Sequence, residues 1–355
     1  MITKALAKFV GALVMIFACV AQADVFNMGG TRDPTTGTWT GAASLEFVMV
    51  GNPGNAADTA TGSLYGSVPY VYQMGKYDVT VGQYCQFLNA VAKTDTYGLY
   101  NNYMATDFPT IKITQSGSSG SYSYSVIGGY IQGANCPIFD VTWGDAARFC
   151  NWLQNGQLTG SQGLTTTEDG SYYLNGATSD TALMAVTRKA NATYVIPSEN
   201  EWYKAAYYDP NKLGGAGYWT YPTMSNTAPG NTLPDMGNSV NFDVTDPTNY
   251  LTPVGAFSNS PGAYDTYDMG GDVWQWNEAV VTDLSRGVRG ISWNHGPSID
   301  LAASIRSSSG PMAETGDIGF RVAMIPEPNI LISLLGFGIS GLVVYVLRRH
   351  EAANE

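Results

Sequence analysis

The sequence predicts an α+β fold, one loop-rich mixed domain followed by a single C-terminal transmembrane helix. Three observations carry that reading. Charged residues make up 13% of the 355, roughly half the usual share, while 41 Gly, 23 Tyr and 8 Trp describe loops packed by aromatic rings rather than long helices. Short stretches place apolar residues at three- and four-residue spacing, separated by strand-like and Gly-rich segments. Near the C-terminus about 18 apolar residues run from Ile330 to Leu347, just enough to cross a bilayer as a helix.

Residues 1–23 read as a secretory signal peptide: Lys4 and Lys8, an apolar run from Phe9 to Val20, then Ala21-Gln22-Ala23. The alternative, a lipoprotein box modified at Cys19, puts bulky Phe17 where such boxes take small residues. A Gly/Thr-rich lead, 24–44, follows. Tyr70-Val71-Tyr72 and Tyr77-Asp78-Val79 are strand-like, and Thr80 caps a helix with Val81, Tyr84, Cys85 and Leu88 on one face. After strand-like Ile138 to Val141, a second helix spans about Trp143 to Leu153, with Ala146, Phe149, Cys150 and Leu153 facing the core. The third begins at Pro197-Ser198, where Ser198 and Glu201 make a capping box ahead of Trp202, Ala205 and Ala206. Asp169-Gly170 is a hairpin signal. From Gly214 to Ser260 the chain is rich in Gly, Pro, Asn and Asp and holds little regular structure, so bound metal or dense hydrogen bonding is needed to order it.

The composition also excludes functions. A net charge of -12 leaves no electrostatic footprint for nucleic acid. Two histidines, His295 and His350, cannot supply a multi-imidazole zinc or iron site. Without the signal peptide the cysteines are Cys85, Cys136 and Cys150. One disulfide is permitted in an oxidising compartment, but the apolar settings of Cys85 and Cys150 favour buried thiols.

The order Pro326-Glu327-Pro328, apolar span, Arg348-Arg349 resembles the PEP-CTERM sorting signal of Gram-negative bacteria that make extracellular polysaccharide. The resemblance implies an exosortase partner, export across the inner membrane, a transient anchor, and a final place at the cell surface or in the matrix. The alternative is an ordinary single-pass anchor. The basic pair stays cytoplasmic in either case.

Within the body, Tyr77-Asp78-Val79-Thr80, Val141-Thr142-Trp143, Ile196-Pro197-Ser198-Glu199, Tyr267-Asp268-Met269, Gly271-Asp272-Val273-Trp274-Gln275-Trp276, Arg289-Gly290 with Ser292-Trp293, and Ile318-Gly319-Phe320-Arg321 resemble, in order, the formylglycine-generating enzyme (sulfatase-modifying factor) family. That resemblance implies a single C-type-lectin-related domain over 45–324, with 325–355 as the sorting segment.

Family enzymes oxidise a sulfatase cysteine with oxygen and a copper ion held by two cysteines. Counting through this sequence places those positions at His295 and at Asp300 or Ser298; soft Cu(I) has no thiolate there. Copper and formylglycine-generating activity are therefore not expected. The weak catalytic candidates are His295, Ser298 and Asp300, as an acid or base at a non-standard site acting on a protein or peptide. The resemblance further implies two structural calcium sites, one at Asn241, Phe242, Asp246 and Thr248, the other at Asp268, Gly271, Val273 and Gln275; the alternative makes these residues turn formers. Trp293 and Trp219 are the candidate ligand-binding aromatics, because a sugar ring stacks on such faces. Trp143, Trp202, Trp274 and Trp276 read as core. The expected role is binding or structural, with a polysaccharide or peptide ligand.

Overall fold

Three helices begin with the same reciprocal device. In the computed structural model, which describes residues 26–326, α1 (Val81–Val91), α2 (Trp143–Gln154) and α4 (Glu199–Tyr207) are capped by Thr80, Thr142 and Ser198. Each cap hydroxyl accepts from the N3 backbone N–H, and the N3 side chain accepts from the cap's own N–H. Two orphan donors are satisfied at each start, a contribution of about 1 kcal/mol per cap. The short α3 (Asp180–Met184) starts at Ser179.

The helices bury aromatic faces against one another. Tyr84 and Phe87 of α1 meet Phe149 and Trp152 of α2, and Phe149 continues the contact to Phe320 at 5.4 Å. Burying each such ring contributes about 1.5–3 kcal/mol. Cys85, Cys136 and Cys150 are buried free thiols within this core.

Two four-stranded sheets flank it. One runs in the order Phe47–Val50, Tyr72–Gly75, Ala323–Met324, Tyr194–Val195, all antiparallel. The other runs Ser307–Ser309, Ser285–Arg289, Trp274–Thr282, Ile318–Gly319, with the last pair parallel. The strand-like Tyr77 to Val79 and Ile138 to Val141 form no ladder. They are extended connectors instead: Val79 N–H donates to Phe320 O, and Ile138 N–H to Val79 O. The main hairpin, Lys112–Ser116 with Ser123–Ile127, has no strong sequence signal, while Asp169-Gly170 turns only a single bridge from Asp169 to Tyr173.

The lead wraps onto the body. Trp39 packs with Tyr77, Val254 and Tyr267 and donates from its indole to Val254 O at 2.8 Å. Residues 214–260 contain no helix, and their order comes from hydrogen bonds, as in Asp235 accepting from Gly237, Asn259 and Ser260. Among the described residues no helix is long and apolar enough to cross a membrane. The expected signal peptide, the sorting segment from residue 327 onward and the helix at 330–347 lie outside the described residues.

Candidate functional site

Three loops meet at a cleft of about 260 Å³, walled by Asp107, Phe108, Trp293, Asn294, Gly316 and Asp317. Trp293 follows the Arg289-Gly290 turn, and its backbone is fixed from both sides: its N–H donates to Asp272 O and its carbonyl accepts from Val244 N–H. The indole N–H donates to Gly316 O at 3.2 Å. Phe108 at 5.7 Å and Tyr250 at 4.9 Å pack against the ring. The indole is therefore held at its edge, with part of its surface open to the cleft.

Behind this wall lies Asp140. It stands two residues before the Thr142 cap, in a left-handed backbone conformation (φ 54°) that Asp tolerates better than most residues. Its N–H donates to Thr315 O at 3.1 Å. The side chain has no exposed surface, and neither carboxyl oxygen receives a hydrogen bond. It faces the carboxyl of Asp107. Burial, together with the charges of Asp107, Glu314 and Asp317, pushes Asp140 up to about 8, and burial also raises Asp107.

His295 lies beside the cleft and does not join the other two catalytic candidates. Its Nδ1 is 2.9 Å from Ser292 Oγ and 3.1 Å from Asn294 Oδ1, and Trp274 meets its ring edge-on at 5.1 Å. Neither Ser298 nor Asp300, both in the 3-10 turn Ser298–Leu301, hydrogen-bonds to it. Ser292 has no exposed surface, so the Ser–His contact braces the loop rather than presenting a nucleophile. The thiols sit elsewhere in the core: burial pushes Cys85 up to about 11 and holds Cys136 and Cys150 well above the usual thiol range. Such thiols are poor sources of thiolate.

The two calcium sets differ in what they offer a cation. In the first, Asn241 Nδ2 donates to Tyr250 O and Asp272 Oδ1, which aims a buried Oδ1 that has no partner. Asp246 closes a turn by accepting from Thr248 and Asn249, and these bonds hold its carboxyl below the ordinary range despite the opposing effect of burial. The orphaned amide oxygen suits a hard cation, while Phe242 O already accepts from Asn231 Nδ2 at 3.0 Å and Thr245 Oγ1 at 3.1 Å, and both Asp246 carboxyl oxygens accept within their own turn. In the second set the Gln275 side-chain oxygen already accepts from Trp202 Nε1 at 2.8 Å and Arg321 Nε at 3.2 Å, while Gln275 Nε2 donates to Asp268 O. That set does not fit calcium as the first does. Among the described residues no three His, Cys, Asp or Glu side chains are arranged to hold a metal ion, so a cation at the first set would draw on amide and backbone oxygens.

Trp219 is outside the cleft; its indole donates to Asp209 and Lys212 lies over its ring at 4.3 Å. Of the two ligand-binding candidates, Trp293 lines this cleft and Trp219 does not. No local motif in the sequence marks Asp107, Phe108, Asp140 and Asp317 as one site, because the chain brings them together from three separate segments.

The sulfatase-modifying factor enzyme 1-like domain matches residues 66–325. Among solved structures, CarF is 18% identical, with 80% of this chain and 99% of that one covered at a TM-score of 0.46. The Treponema denticola variable protein 1 is 16% identical, with 84% and 100% covered at 0.48, and PvdO from Pseudomonas aeruginosa is 17% identical, with 86% and 100% covered at 0.44. Comparison with curated proteins gives no match. With the family's domain spanning most of the body and its ordered blocks on the strands and turns described above, the chain belongs to the sulfatase-modifying factor enzyme 1-like family.

Proposed function

We propose that this is an exported surface or matrix protein whose family domain binds a glycan and does not oxidise cysteine. One observation carries the reading: the stretch where family enzymes hold copper contains no thiol, and beside it lies a small cleft with a braced, part-exposed indole and polar walls. An aromatic face with a few convergent carboxylates and amides matches the two surfaces of a sugar ring, apolar on its C–H side and hydroxylated at its rim. The signal peptide and the PEP-CTERM-like tail support export, exosortase processing and a polysaccharide-rich location.

Calcium at Asn241, Phe242, Asp246 and Thr248 is the structural cofactor of this reading. When bound, it supplies fixed positive charge to a segment with almost no regular structure. Asn241 and Asp246 would hold it, and the Val244 and Trp293 backbones link that loop to the cleft.

The experiment is a glycan array, including the host's own polysaccharide, probed with residues 24–324 and with Trp293→Ala. Binding by the wild type that the variant loses supports the reading. No binding above a heat-denatured control overturns it.

A further inference from the structure

The carboxyl of Asp140 is fully buried, receives no backbone or amide donor, and faces the carboxyl of Asp107, with which it can bond only by sharing a proton. It sits directly behind Asp107, whose exposed carboxyl walls the cleft, and Asp317 walls the same cleft. Asp107 and Asp317 wall the cleft together with Trp293 and Phe108, and their charges, with that of Glu314, act on Asp140 behind it. Carboxylates beside aromatic faces are the arrangement that holds an organic cation, through ion pairing on one side and the ring quadrupole on the other.

We infer that the cleft takes a cationic sugar, with the ammonium of an amino sugar seated between Asp107 and Asp317 and its ring against Trp293. This rests on the glycan reading above and narrows it to one chemical class. The cleft's size favours a single ring, since about 260 Å³ is below the range of drug-sized sites. Its walls are loops and turns with no strand edge, so an extended peptide has no ladder to join. When the cleft is empty, Asp140 and Asp107 share a proton. When an ammonium arrives that proton leaves to solvent, and the pair presents a second negative charge.

The test is calorimetry with a glucosamine tetrasaccharide, its fully N-acetylated counterpart and an oligolysine of similar length, at about pH 6 in two buffers of different ionisation enthalpy. The expected result is binding of the glucosamine form only, weakened about tenfold or more by Asp107→Asn and by Asp317→Asn, with proton release that Asp140→Asn abolishes. Equal binding of the N-acetylated form, lost in Trp293→Ala, would overturn the cationic class and leave the glycan reading standing. Oligolysine binding without glucosamine binding would overturn the sugar in favour of a basic peptide. Failure of all three probes overturns the cationic sugar, and the glycan reading falls with it if the array is also blank.

Discussion

Arg321 donates from Nε to the side-chain oxygen of Gln275 at 3.2 Å. The guanidinium also donates to Gly75 O and Tyr267 O and lies 3.5 Å from Asp78. A protein-borne cation thus sits on the very oxygen that the second calcium set would need. The partner-free oxygen of Asn241 in the first set makes the opposite case.

Calcium dependence should therefore trace to the first set. EGTA is expected to lower the melting temperature of residues 24–324, and Asn241→Leu should remove most of that sensitivity. Gln275→Glu should not be needed for it. An EGTA effect of unchanged size in Asn241→Leu would place the ion elsewhere.

Stability should fall as pH rises from about 4 to 8. Asp140 in the folded state keeps its proton up to about 8, and Glu314 is pushed up to about 7 by burial and by Asp145, whereas the unfolded chain releases both near 4. The folded state binds more protons throughout that window, so the unfolding free energy declines, by up to about 1.4 kcal/mol per pH unit for the buried Asp140 and by less for the partly exposed Glu314. Asp140→Asn should flatten the profile, as read from denaturant midpoints at several pH values.

The three capping boxes bear on how much of this fold is legible in the sequence. Ser198 with Glu201 is a local signal, complete within four residues, and the helix starts there as expected. Removing the hydroxyl with Ser198→Ala should cost about 1 kcal/mol, seen as a lower denaturant midpoint at unchanged slope. The cleft is different in kind. Asp107, Asp140, Trp293 and Asp317 meet only after both sheets close, and nothing within a few residues of any of them marks the meeting. Tyr77 to Val79 shows the intermediate case: the apolar alternation is real, but the partners on either side are single bonds to Phe320 and Ile138, so extended chain forms without a ladder. The resemblance located the blocks; only the packing shows which of their side chains face open space.

Buried charge gives a further test. Arg148 Nε and Nη2 donate to Glu168 at 2.7 and 3.1 Å, and both side chains are almost fully enclosed. Glu168→Gln leaves the guanidinium without its counter-charge and should destabilise by about 3–5 kcal/mol. The double variant Arg148→Met, Glu168→Leu should recover much of the loss, as measured by urea denaturation.

The most direct measurement is mass spectrometry of a Cys-x-Pro-x-Arg peptide incubated with residues 24–324, copper, calcium, oxygen and a thiol reductant, beside an active family enzyme. By the count along the sequence, His295 and either Asp300 or Ser298 take the two positions that the resemblance implies for the copper cysteines, and all three body thiols are buried. The peptide cysteine should therefore remain unconverted while the control converts it. Formylglycine in the test sample would contradict a binding domain and require a copper site built from other residues.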